Sequence, residues 1–138
     1  MDFHIKVQMP LLAGKKILFG VSGGIAAYKV ADWVRALGRE EAEVSVVQTA
    51  ASTKFVTPLT FAALSGNRVN TDIFETDSGR PGIPHIDLAR HCDLLIIAPA
   101  TAQTIAALAA GMANNLLTTI ALATRAPVII FPAMNSNM

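Results

Sequence analysis

Three short runs of this 138-residue chain are apolar with almost no polar interruption: residues 15–21 (KKILFGV), 93–98 (DLLIIA) and 128–131 (VIIF). A strand with apolar side chains on both sides must be covered on both faces. Parallel strands joined by helices provide that cover, and few other arrangements do. The intervening segments read accordingly. From residue 25 to 37, Ile25, Ala26, Val30, Trp33, Val34 and Leu37 recur near helical spacing. Residues 43–48 (EVSVVQ) form a second strand, and residues 58–65 a helix that begins on Pro58 and stops at Gly66. Val69 begins a short third strand, and residues 85–91 form a short helix. Residues 101–112 form an Ala-rich helix with little polarity on any face, which implies burial all round. Asn114 or Asn115 caps a further helix through Ala123. With residues 93–98 and 128–131 as fourth and fifth strands, the alternation predicts an α/β fold. It is a doubly wound parallel sheet with helices on both faces, in a single domain.

Composition narrows the function classes. Only 15% of residues are charged and 52% are hydrophobic. The charged share is well below the roughly 25% of an average protein, so part of the surface is expected to lie in a subunit interface. A formal net charge of +1 argues against a basic patch for nucleic acid or a membrane surface. No apolar run reaches the roughly 18 residues of a bilayer span, and no basic n-region opens a secretion signal. A single cysteine, Cys92, leaves no intrachain disulfide and fits a reducing cytoplasm. It reads as a packing residue. His4, His85 and His91 have no zinc-type spacing, and His4 and His91 read as solvated. Residues 1–14 read as an N-terminal extension. Residues 72–84 (DIFETDSGRPGIP) read as a mobile loop.

Ligands of open α/β sheets sit beyond the carboxyl ends of the strands, and several polar segments fall there. The turn Ser22-Gly23-Gly24, followed by a helix from Ile25, forms an anion site: free N–H groups and a positive dipole end face whatever lies over the turn. A glycine turn that serves only strand–helix packing is the alternative. The turn is neither a Walker A loop nor G-x-G-x-x-G. Strand two ends in Gln48-Thr49-Ala50-Ala51-Ser52, without the acid that holds an adenosine ribose. Its hydroxyls disfavour NAD and permit FMN. After strand four, Thr101, Gln103 and Thr104 can hydrogen-bond a heteroaromatic ring or a ribityl chain, although Thr101 also suits an ordinary helix cap. His85, at a loop-to-helix junction, carries an imidazole able to give and take a proton. It equally suits a capping or surface role. Residues 132–138 (PAMNSNM) place Asn135 at the end of the last strand, where its amide can meet a carboxylate or an amide. An ordinary turn fits the same letters.

Taken in order, the segments GKKILFGVSGGIAAYK, VTPLTFAALSG, HIDLARHCDLLIIAPATAQTIAALAAGMANNLL and PAMNSNM resemble the flavin-containing cysteine decarboxylase family, in particular its phosphopantothenoylcysteine decarboxylases, over residues 14–138. The resemblance implies a Rossmann-like, cytoplasmic flavoprotein, a trimer or multiple of trimers, with FMN held at subunit contacts. It assigns FMN binding to Ser22, Gly23, Gly24, Ile25, Thr49, Ser52, Thr101, Ala102, Gln103 and Thr104. It makes His85 catalytic, and it makes Ala133, Met134 and Asn135 substrate-binding. The implied reaction decarboxylates 4'-phosphopantothenoylcysteine toward 4'-phosphopantetheine in coenzyme A biosynthesis, after flavin oxidises the thiol to a thioaldehyde. Residues 15–138 are then an FMN-binding domain without the family's later flap and proton-donating cysteine, and turnover is expected to stop with reduced flavin. A non-catalytic FMN-binding subunit is the alternative expectation.

Overall fold

A computed structural model describes residues 10–75 and 83–138. Residues 1–9, including His4, and the middle of the expected 72–84 loop lie outside the described residues. The chain runs β1 (Lys16–Val21), α1 (Ala27–Arg39), β2 (Glu43–Gln48), a 3-10 turn (Ser52–Lys54), α2 (Pro58–Ser65), α3 (Pro84–His91), β3 (Leu94–Ala100), α4 (Ala102–Ala109), α5 (Leu116–Ala123) and β4 (Val128–Pro132). The strands form one parallel sheet in the order β2-β1-β3-β4. This is the doubly wound α/β architecture that the continuous apolar runs imply.

Side-chain alternation along β1 divides the core into two layers. Ile17, Phe19 and Val21 point to one face, where Val30 and Val34 of α1 and Phe61 of α2 cover them. Leu18 points to the other, with Leu116, Leu117 and Ile120 of α5 and Ala89 of α3. Gly20 lies on this second face. A Cβ there would stand 2.1 Å from Leu117 Cδ1, so the absence of a side chain lets the first turn of α5 settle directly on β1. Local signals set the helix ends. Gly66 closes α2 in the left-handed conformation at φ 71°, and Asn115 caps α5 through a reciprocal capping box with Thr118.

Three expectations are corrected. The third strand expected at Val69 is only an isolated bridge, Val47 to Asn70. Asn67 Nδ2 also donates to the Val44 carbonyl at 2.7 Å, so a polar connection covers the β2 edge without a ladder. The Ala-rich helix is shorter than residues 101–112, ending at Ala109 before Gly111 at φ 66°. Within α4 only Thr104 and Ala107 are buried, so one chain does not bury this helix all round. Finally, residues 128–131 form a parallel strand, but an edge strand. Val128, Ile129, Ile130 and Phe131 stay 40–43% exposed, because α1 and α2 pack chiefly over β1 and β2; Trp33 reaches across to Phe131, with ring centroids 5.0 Å apart.

A cavity at the carboxyl edge of the sheet

The segments that follow β1, β2, β3 and β4 surround one cavity of about 930 Å3, a volume suited to a cofactor-sized ligand. The turn after β1 contributes Gly23 to Ala26, and the segment after β2 contributes Thr49 to Ala51. Thr101 to Thr104 enter from the start of α4, and Ala133, Met134, Asn135 and Met138 from beyond β4. Among the described residues no charged side chain lines it. These residues offer a ligand neutral donors, hydroxyls and apolar contact.

The turn after β1 supplies backbone donors. The amides of Ile25 and Ala26 have no acceptor among the described residues, as expected where a helix begins. Gly23 has a packing duty as well: a Cβ there would lie 2.5 Å from Ala51 Cβ, so only glycine lets the two loops close together. At Gly24 the nearest atoms to such a Cβ, Pro99 Cγ and Thr101 Cγ2, are at 3.7 Å, an ordinary contact. Ser22, expected beside the ligand, does not line the cavity. Its hydroxyl donates to the Pro99 carbonyl and accepts the Thr101 amide at 3.0 Å, joining the β1 turn to the start of α4. Ser52 is likewise turned inward, donating to the Thr49 carbonyl at 2.8 Å, while its amide reaches Thr49 Oγ1 at 3.3 Å. Both serines are buried supports of the loops that do line the cavity.

At the start of α4, Thr101 Oγ1 accepts the Thr104 amide at 3.2 Å and donates to Thr104 Oγ1 at 3.1 Å. The cap and the cavity wall are therefore the same residues, and the Thr104 hydroxyl proton remains available. Gln103 is exposed, with no partner among the described residues. Beyond β4, Asn135 Oδ1 accepts the Asn137 amide at 2.9 Å. That bond engages the side-chain carbonyl and fixes the plane of the amide, and the NH2 group is left without an acceptor among the described residues. Asn115 also lines the cavity. Two amides between apolar helices, at Asn114 and Asn115, suit either a paired-Asn turn or a polar contact to a ligand or a neighbouring subunit, and the structure brings the second of them to the cavity wall.

His85 is not brought to this cavity within one chain. It lies half-buried in the first turn of α3, and its Nδ1 is buried without a partner among the described residues. Cys92 and His91 line a separate cleft of about 590 Å3 with Lys16 and Glu43, the first residues of β1 and β2. Cys92 Sγ sits 3.7 Å from the Ala89 carbonyl and 3.6 Å from Thr124 Oγ1, a packing position between α3 and the end of α5.

Comparison with known proteins places this arrangement. The coenzyme A biosynthesis bifunctional protein CoaBC of Vibrio vulnificus is 54% identical over 130 residues, covering 94% of this chain and 32% of that protein. The chain thus spans about a third of the length of the curated relatives it matches. Among solved structures, the FMN-dependent cysteine decarboxylase TvaF of thioviridamide biosynthesis superposes with a TM-score of 0.81 at 30% identity, covering 90% of this chain and 76% of that one. A C175S mutant of PPC decarboxylase, complexed with pantothenoylaminoethenethiol, gives 0.73 at 32% identity, covering 89% and 69%. The family model described as Flavoprotein matches residues 8–138. With its parallel sheet, helix-start donors and uncharged cavity, the chain belongs to the flavoprotein family.

Proposed function

We propose that this chain binds FMN in the cavity at the carboxyl edge and decarboxylates 4'-phosphopantothenoylcysteine toward 4'-phosphopantetheine in coenzyme A biosynthesis. The observation that carries this reading is the donor set. The amides of Ile25 and Ala26, the Thr104 hydroxyl and the Asn135 NH2, none of them donated to an acceptor among the described residues, border one cavity that no charged side chain among those residues lines. FMN is rich in acceptors, with a phosphate, a ribityl chain and two ring carbonyls, so the residues present fit it. When bound, FMN supplies the two-electron oxidation of the substrate's thiol end that makes loss of carbon dioxide feasible.

The chain's own residues provide position and electrostatics. The start of α1 meets the phosphate with N–H donors and its dipole. Thr101 to Thr104 flank the ring or ribityl chain. Asn135, with its carbonyl occupied by Asn137, donates to the substrate carboxylate and orients the carbon–carbon bond to be broken, with Ala133 and Met134 beside it. His85 moves the proton. Because it lies outside the cavity of its own chain, this role places it at a contact between copies, in a trimer or multiple of trimers. A cytoplasmic setting accords with the bacterial coenzyme A biosynthesis proteins that the chain matches.

The test is to purify the chain, record the flavin absorbance, and add phosphopantothenoylcysteine. Carbon dioxide release with flavin reduction is the expected result. Bound FMN without carbon dioxide release would support the second reading, a non-catalytic flavin-binding subunit. That reading draws on the position of His85 outside the cavity of one chain.

A further inference from the structure

We propose that Asn115 is a cofactor-positioning residue whose side-chain amide donates to the phosphate of the bound mononucleotide; this rests on the FMN reading above. Asn115 lines the cavity and also caps α5. Its Oδ1 accepts the Thr118 amide at 2.9 Å and the Thr118 hydroxyl at 3.1 Å. The Asn115 amide is returned to Thr118 Oγ1 at 3.3 Å, and Thr118 is fully buried. A carboxamide is planar, so anchoring the oxygen also sets the direction of the NH2 group. Asn115 Nδ2 has no acceptor among the described residues. Two accepted bonds fill Oδ1, so the cap leaves the NH2 group as the part of the side chain open to a ligand.

Its position selects the phosphate. Leu117, two residues on, packs against β1 at Gly20, so the first turn of α5 lies over the strand that ends in the Gly23–Gly24 turn. The α1 helix occupies the opposite face of that strand. An anion over the end of β1 is thus approached from one face by the Ile25 and Ala26 amides and from the other by Asn115 Nδ2. Among the described residues no lysine, arginine or histidine lines the cavity, so the donors these residues offer the charge are neutral, and hydrogen bonds to an ionised acceptor are the stronger kind.

Asn115→Asp and Asn115→Ser both keep a capping oxygen and remove the donor. The 138-residue chain and each variant are titrated with FMN and with riboflavin, which lacks the phosphate, by quenching of flavin fluorescence. Both variants are expected to keep thermal stability close to the unaltered chain. FMN affinity should fall roughly 10- to 100-fold, the equivalent of one hydrogen bond to a charged group, with Asp worse than Ser through charge repulsion. Riboflavin affinity should stay within about threefold, below a single such bond. Unchanged FMN affinity in both variants would overturn the proposal and leave Asn115 a cap only. Equal loss of riboflavin would also overturn it, moving the acceptor to the ring or ribityl chain. In the unaltered chain, the Asn115 side-chain amide resonances should move with FMN and not with riboflavin, a readout independent of the variants' folding. If the unaltered chain binds neither flavin, the FMN reading itself fails and this inference falls with it.

Discussion

Asn135 changes meaning once its bond to Asn137 is in view. A side-chain amide can offer donor or acceptor, and with Oδ1 held by the Asn137 amide at 2.9 Å the NH2 group is the part without a partner among the described residues. Asn135→Asp keeps that turn, because a carboxylate accepts the same backbone amide, yet it presents a negative oxygen to a carboxylate substrate. The variant should retain FMN binding and lose substrate affinity by at least about 10-fold, the scale of a lost charge-assisted bond, measured by substrate titration of the flavin-loaded chain. Gly23 is the second residue whose role is geometric. The close approach of Ala51 means that Gly23→Ala forces two loops apart, at a cost of about 1–3 kcal/mol. Thermal unfolding should show it as a lowered midpoint, and FMN affinity should fall with it because both loops line the cavity.

At the scale of elements, the cavity is built from helix beginnings: α1, α4 and α5 each start at its wall. Binding and capping therefore share residues. Thr101→Ala removes the oxygen that accepts the Thr104 amide and should cost about 1 kcal/mol, a drop of roughly 2–8 °C in midpoint for a chain of this size. It also frees Thr104 Oγ1 from its donor, so FMN affinity is expected to fall while riboflavin and FMN remain equally affected. The strands reveal a different principle. β1 and β3 are central and buried, whereas β4 has the same apolar character and lies open at the edge.

The whole molecule carries more apolar surface than one chain covers. Ile25, Tyr28, Phe131 and Leu122 are all exposed, and α4 leaves Ala106 and Ala109 uncovered. Exposed apolar side chains mark interaction surfaces where they gather into a patch. The chain is expected to sediment as a multiple of its single-chain mass at micromolar concentration; a stable monomer would contradict the trimeric reading. A sharper test uses two inactive variants. If His85 serves the cavity of a neighbouring copy, mixing His85→Asn with Asn135→Asp and allowing subunits to exchange should restore part of the decarboxylation that each lacks alone. No recovery, with exchange demonstrated by mass, would place His85 in its own chain's site.

Much of this was legible in the letters, because local physics writes locally. Continuous apolar runs imply two covered faces, Pro58 and Gly66 bracket α2, and β2 begins and ends where EVSVVQ does. The carboxyl-edge segments could be collected from topology alone, since a parallel sheet turns every strand end the same way. What only the tertiary structure decided was orientation and cover. A hydroxyl such as that of Ser22 or Ser52 serves whichever acceptor packing brings near, and that choice turned both inward. Burial of β4 and α4 depends on neighbours that a run of apolar residues does not specify. Asn115 read equally as a cap, a paired-Asn turn or a polar contact, and the position of Leu117 at Gly20 brought it over β1. Sequence determines which groups a strand end has to offer; long-range packing determines which of them are left free to bind.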